Sequence, residues 1–449
     1  MTKVKFFAAF LLICLIFTFS APFAGAIDDL PDITAKSVII VDPESGEVVF
    51  EKAADERRDI ASLTKIMTAL IVMEEANMDD IATVSYEALA DLDPDSSIAD
   101  LRVGEEMRVE DLLKCVLVQS ANDACNVLAE HLYGSTAAFV AEMNRRAEAL
   151  GCSNTHFMNA HGLTETGHYS TARDLYTIIL EAMKHPQFME ICNTARVEIP
   201  ATNLKEARVY LSTNYLISAQ KVPNYVYYYA KGIKTGHTSA AGYCLASTAE
   251  KDNQLYICVV LGSERTESGD STRIGSFDDT KALYEWAFAN FSYQTVLAKN
   301  IAVAELPVSL SSEVDYVTLV PNNSIEALLP NDFNPEEVKL DLHLDSPEGV
   351  EAPVEKGQKL GTATVMWNGH DYGEVELVAL GEASLDKTLL YVQNVKDFFA
   401  KPWVMWVGIG IGALIVIYII FLIVINSKRR RRRAASNYRG SSRNRRRRY

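Results

Sequence analysis

Residues 404–425 (VMWVGIGIGALIVIYIIFLIVI) run for 22 positions without a charged side chain. A helix of that length rises about 33 Å, enough to cross the hydrocarbon of a bilayer. Trp403 and Trp406 stand at one edge, where interfacial aromatic belts form, and Lys428 and Arg429 to Arg433 follow the other. Basic flanks stay on the cytoplasmic side. The expected topology is therefore a single-pass span (403–426), a basic cytoplasmic tail (427–449) and an extracytoplasmic remainder. The other end of the chain agrees. Lys3 and Lys5 precede FFAAFLLICLIF, and Ala24-Gly25-Ala26 offers small residues for cleavage, the layout of a secretory signal peptide over 1–26. The mature chain is expected to start near Ile27, at the cell membrane.

The formal net charge of -16 hides an asymmetry. Of the 43 basic residues, 12 lie in the tail and 2 in the leader, which leaves 29 against 59 acidic ones in between. So acidic an exterior excludes nucleic acid as a partner of the external domains. For the tail, beside a membrane, anionic lipid is the natural partner. Six cysteines remain after Cys14 leaves with the signal. Cys115, Cys244 and Cys258 sit in apolar settings (LLKCVLVQ, GYCLAS, LYICVVL), as buried thiols do, so mostly unpaired cysteines are expected. There is no C-x-x-C pair and no H-E-x-x-H helix. No metal or other cofactor is called for, and His156, His161 and His168 read as structural loop residues.

Between leader and span the periodicity changes twice. Residues 35–55 alternate as a hairpin. Amphipathic helices are expected near 60–76, 109–117, 121–133, 136–150 and 171–184, then strands at 225–230, 242–248 and 255–262 and a helix at 279–290. Strands at both ends of a helical middle imply one α+β domain (27–291), with helices packed on an antiparallel sheet assembled from distant segments. From 292 to 385 the pattern is β-rich, with a hairpin turning at Asn368-Gly369. Residues 386–402 connect it to the span.

Within the α+β domain the segment IASLTKIMTAL (60–70) puts Ser62 and Lys65 one helical turn apart on a buried face. Alone, the pair reads more simply as a capping serine and a lysine reaching for solvent. Two further short motifs follow in order, Ser120-Ala121-Asn122 at a helix start and Lys234-Thr235-Gly236 at a strand start. Ser212-Thr213-Asn214 also fits Ser-x-Asn and is set aside as a decoy. The chemistry of the set is coherent. A serine hydroxyl needs a base within reach, and a desolvated lysine near a second cation has the lowered pKa that suits one. Ser62 at a helix N-terminus places its own N–H at a developing oxyanion, and His237 on an adjacent strand supplies a second. Ser120 can relay a proton to a leaving amine, and Asn122 can hold a substrate amide. Lys234 and Thr235 suit a carboxylate, while Gly236 leaves room for a peptide lying along the strand.

Ser-x-x-Lys, Ser-x-Asn and Lys-Thr-Gly in this order resemble the signature of the penicillin-binding proteins. From about 33 to 385 the chain resembles a serine-type D-Ala-D-Ala carboxypeptidase of low molecular weight, also in NTHFMNAHGL, YSTARDL and PVEKGQKLGTATVMWNG. The resemblance implies the penicillin-binding transpeptidase fold and removal of the terminal D-alanine from the peptidoglycan pentapeptide. It implies an acyl-enzyme on Ser62, with β-lactams as inhibitors. An amphipathic terminal helix is usual in such proteins, whereas this chain has a full span. The arginine that often grips the substrate carboxylate has no clear counterpart, Arg273 being the candidate. A β-lactamase is disfavoured because no E-x-x-L-N segment is present. A D,D-endopeptidase, and then a non-catalytic wall-binding or β-lactam-binding scaffold, are the alternatives.

Overall fold

The computed structural model describes residues 30–441 apart from 91, 93–95, 221 and 269–270. The leader, Cys14 and the last tail arginines therefore lie outside the described residues. The chain divides into two compact units, one running to Gln294 and taking in Ala327–Asn334, the other holding Thr295–Glu326 and everything from Pro335 onward. The first unit thus borrows a short later segment that the sequence pattern assigned to the β-rich part.

The first unit is built on a five-stranded antiparallel sheet in the order Val48–Lys52, Ser37–Val41, Gln254–Ser263, Gly242–Lys251, Ala230–Thr238. Its central strands are buried on both faces, which is why SVIIV and YICVVL are unbroken apolar runs. Ile39, Val41, Val259 and Leu261 face a core shared with the helices Lys65–Glu75, Asn122–Tyr133 and Ala172–Ala182. Val38, Ile40, Cys258 and Val260 face the helix Gly275–Asn290. Burial at about 25 cal/mol per Å² makes both layers the main source of stability. Asp279 staples the second layer to the start of the chain. Its carboxylate accepts from Thr34 N (3.0 Å), Thr34 Oγ1 (2.9 Å), Ala35 N (2.9 Å) and Ser263 Oγ (2.7 Å).

The expected helices and most strands are present, with one correction. Of the strand expected at 225–230, residues 225–229 are not in a strand. Pro223–Tyr225 forms a single tight turn, and the ladder starts only at Ala230. The alternation itself is real, because Tyr225 and Tyr227 are buried while Tyr228 is exposed. What is missing is a neighbouring strand, since these rings pack on Tyr215, Phe277 and Tyr284 instead. Lys234 consequently sits inside its strand, just past a bulge between Lys231 and Lys234, rather than at the strand start. All six remaining cysteines are buried and free.

The second unit carries a six-stranded sheet ordered Lys339–Leu344, Lys359–Trp367, His370–Ala379, Tyr316–Pro321, Ala304–Ser309, Val350–Glu351. Asn368 (φ 49°) and Gly369 (φ 83°) both take the left-handed backbone that a two-residue hairpin turn requires. The connector 386–402 is itself helical. Asp386 caps Lys387–Ala400 by accepting from Thr388 N (2.7 Å) and Leu389 N (3.3 Å). Pro402 then opens the helix Pro402–Ser441, whose apolar stretch is exposed along its length and long enough to cross a membrane.

Candidate active site

Ser62 lies in a single 3₁₀ turn, Ala61–Thr64, that runs directly into the helix beginning at Lys65. Lys65 Nζ is 2.9 Å from Ser62 Oγ, 2.7 Å from Asn122 Oδ1 and 2.6 Å from the His161 carbonyl. The last two are obligate acceptors. A neutral amine satisfies both with its two hydrogens and keeps its lone pair for the Ser62 hydroxyl. Lys65 has no exposed surface, and burial lowers its pKa from 10.5 to about 8, with the negative character of Cys125 and Asp123 opposing.

Ser120 follows a five-residue π-helical turn and adopts the left-handed backbone (φ 66°), which turns its side chain back toward the sheet. Lys234 Nζ donates to Ser120 Oγ (2.8 Å) and to the Thr235 carbonyl (2.9 Å). Lys234 too is buried, and its pKa lies well below the ordinary lysine range, first through burial and then through Lys65. Sequence reasoning expected both burial and the second cation to lower Lys65; burial dominates there, and the repulsion bears on Lys234.

These groups open into a cleft of about 260 Å³ whose walls include Ser62, Ser120, Thr235, Gly236 and His237. A side chain at Gly236 would place its Cβ 3.0 Å from the Ile60 carbonyl and 3.1 Å from Ser62 N, so glycine lets this strand close on the Ser62 turn without its neighbours giving way. His237 stacks on Tyr243 (4.2 Å between rings), and its burial lowers the imidazole pKa.

Asn122 is buried, with its amide oxygen accepting from Lys65 Nζ. Arg273 forms a salt bridge with Asp278 (Nε to Oδ2 2.8 Å) and lies over the Tyr225 ring, next in the chain to Ile274, which lines the cleft. The decoy proves informative in the opposite sense. Thr213 of Ser-Thr-Asn lines the cleft, with its hydroxyl 2.6 Å from that of Thr235. Ser97 lines it as well, on a loop pinned by the buried Asp123 carboxylate, which accepts from Ala99 N and Leu101 N. Neither residue carries a spacing signal. Among the described residues no group of His, Cys, Asp and Glu is arranged to hold a metal ion. His161 and His168 are held neutral by burial, with pKa values of about 3 and about 4.

Residues 24–265 match the family model described as D-alanyl-D-alanine carboxypeptidase, and 291–384 match the C-terminal domain of penicillin-binding protein 5. The chain belongs to the D-alanyl-D-alanine carboxypeptidase family. It is 31% identical over 350 residues to the D-alanyl-D-alanine carboxypeptidase DacF of Bacillus subtilis, covering 77% of this chain and 85% of that one. It is 32% identical over 364 residues to DacA of Escherichia coli, covering 79% and 85%. An Escherichia coli D-alanyl-D-alanine endopeptidase is 28% identical over 277 residues, covering 61% of this chain and 86% of the other. Among solved structures, penicillin-binding protein 5 from Haemophilus influenzae superposes with a TM-score of 0.58 at 29% identity, covering 79% of this chain and 99% of that one. The fold is thus the penicillin-binding one, helices on an antiparallel sheet followed by an all-β domain.

Proposed function

We propose that the chain removes the C-terminal D-alanine from peptidoglycan pentapeptide through an acyl-enzyme on Ser62. The observation that carries this reading is the triple contact of Lys65, whose free-amine form can give its two hydrogens to Asn122 and the His161 carbonyl and turn its lone pair to the Ser62 hydroxyl. Ser62 Oγ attacks the carbonyl carbon of the penultimate D-alanine, and its proton passes to Lys65 Nζ. The oxyanion is met by the N–H groups of Ser62 and His237. Collapse breaks the C–N bond, and the leaving D-alanine amine takes the hydroxyl proton of Ser120, which Lys234 adjoins; the proton that Lys65 took from Ser62 replaces it, so Ser120 ends as a hydroxyl and Lys65 as a free amine. Water then hydrolyses the ester, returning serine and a shortened peptide. The ammonium of Lys234, with the Thr213–Thr235 hydroxyl pair, receives the substrate carboxylate. A β-lactam follows the same first steps and leaves its acyl group on Ser62.

The long C-terminal helix anchors the protein in the cell membrane, with the catalytic unit outside and the basic tail in the cytoplasm. Carboxypeptidase relatives align through both domains, whereas the endopeptidase relative covers less of the chain, which favours trimming over cross-link cleavage. Two measurements test the reading. Labelled penicillin should attach to Ser62 in a peptide map, and pentapeptide muropeptides should lose one D-alanine by mass. A label on Ser120 or Ser212, or tetrapeptide released only from cross-linked dimers, would refute it.

A further inference from the structure

Behind the nucleophile turn, on the side away from the cleft, lies a hydrogen-bonded chain that the acylation steps do not use. His168 Nδ1 accepts from Met158 N (3.2 Å), so the proton of this neutral ring sits on Nε2. Nε2 is 2.8 Å from Thr64 Oγ1 and donates to it. Thr64 Oγ1 in turn donates to the carbonyl of Ala61 at 2.8 Å. Thr64 is fully buried and His168 nearly so. The direction of every bond in the chain is therefore fixed.

The carbonyl at its end belongs to the Ala61–Ser62 peptide group. That bond is trans, since the cis bonds are elsewhere, and in a trans peptide the C=O and N–H point in opposite directions. Holding the Ala61 oxygen toward Thr64 turns the Ser62 N–H the other way, toward Gly236 and the cleft. The turn needs the hold. Ala61 has φ 47°, a left-handed conformation that is unfavourable for a non-glycine residue and persists only where its surroundings enforce it. Gly162 closes the same spot from the other side, where a Cβ would come within 2.0 Å of the Ala61 oxygen.

We propose that His168, acting through Thr64 on the Ala61 carbonyl, is a positioning residue that aims the Ser62 N–H at the oxyanion. This rests on the reading of Ser62 as nucleophile and oxyanion donor. An oxyanion donor acts on the transition state more than on the bound ground state, so loss of its aim lowers the limiting acylation rate and leaves capture nearly unchanged. Losing one such donor outright costs about 10²–10³-fold, and mis-aiming it should cost about 10- to 100-fold.

The experiment compares the full chain with Thr64→Val, Thr64→Ser, His168→Leu and the double variant Thr64→Val/His168→Leu, each checked for folding by thermal melting. Acylation by a labelled penicillin is measured to saturation, together with the affinity of a D-alanine-type boronic acid that forms a tetrahedral adduct on serine. Thr64→Val and His168→Leu should lower the limiting rate and the boronate affinity about 10- to 100-fold, with half-saturation moving less than about threefold. Thr64→Ser, which keeps the hydroxyl, should retain the rate within about threefold. The double variant should be no worse than the poorer single one, because both cut the same chain. If Val at 64 prevents folding, Thr64→Ala carries the same comparison. Unchanged limiting rates in folded variants, or losses shared equally by half-saturation, would overturn the proposal and leave the Ser62 reading standing. Absence of any Ser62 adduct on the unaltered chain would overturn both.

Discussion

Changing the pH of an acylation assay titrates Lys65 where it sits. With Lys65 as the proposed base the free amine is the reactive form, so the rate should rise with pH and level once the group is deprotonated. Burial brings its pKa from 10.5 down to about 8. The free-amine fraction is then about 1% at pH 6, about 9% at pH 7 and half at pH 8. The limiting acylation rate should climb about ninefold from pH 6 to 7, about fivefold from 7 to 8, and less than twofold from 8 to 9. Histidines do not confuse that window. His161, His168 and His237 are all held below the ordinary imidazole range.

Stopped-flow acylation with a labelled penicillin at saturation reads the profile directly. At saturation the bound carboxylate keeps Lys234 protonated, so Lys65 is the group that titrates, and the charge fixed on Lys234 moves its limb to somewhat lower pH than in the free protein. Asn122→Asp provides the control. It replaces an acceptor 2.7 Å from Lys65 Nζ with a negative charge. A carboxylate at that distance raises an amine's pKa by about 1–3 units. The limb should therefore move to higher pH, and the rate at pH 7 should fall tenfold or more. A rate still rising tenfold per unit at pH 9–10 would show an unshifted lysine. A flat profile from pH 6 to 9 would show that Lys65 is not the base.

Lys65→Ala should abolish acylation and Lys65→Arg should be nearly as poor, since arginine stays protonated, whereas Lys234→Ala should weaken capture yet acylate at high ligand concentration. Kinetics of the three variants check this, and equal, total loss at both lysines would refute the division of roles. Asp279→Ala strands four donors, including the buried Ala35 N–H, and should cost about 3–5 kcal/mol, seen as a drop in melting temperature of about 10 °C. Truncation after Ala383 removes the connector helix and the span, and should give a soluble protein that still cleaves short peptides. Protease outside intact cells should digest the catalytic unit and spare the arginine-rich tail, and a tail cut from outside would invert the topology.

Local chemistry made much of the fold legible. The apolar runs, the Asn368-Gly369 turn and the helical periods each depend on neighbours in sequence. Tyr225–Tyr229 shows the limit, because its alternation reports sidedness and cannot report whether a strand lies alongside. The same limit applies in the site. Ser62, Lys65, Ser120 and Lys234 carry fixed spacings, and the structure brings them together. Thr213, Ser97 and His168 reach the site only through packing of segments far apart in the chain. Thr213 was even visible, inside a motif that looked like chance. For Asn122, sequence reveals an amide but not that its oxygen accepts from Lys65.

The two buried lysines add a constraint that neither motif expresses alone. Both are wholly enclosed, and the nearby buried carboxylate, Asp123, is engaged by the backbone amides of Ala99, Leu101 and Ala124. Two ammonium groups in such a site are costly, so the free enzyme is pressed toward a single positive charge shared between them. A ligand carboxylate changes the balance by settling beside Lys234 and Thr235. It favours the proton on Lys234, and the charge fixed there disfavours a second one on Lys65. On this argument the carboxylate of the substrate does more than anchor it. It assigns the proton to the residue that binds and leaves the free amine on the residue that must act as base. A ligand whose carboxylate is esterified should then lose limiting acylation rate as well as affinity, most of all below pH 8.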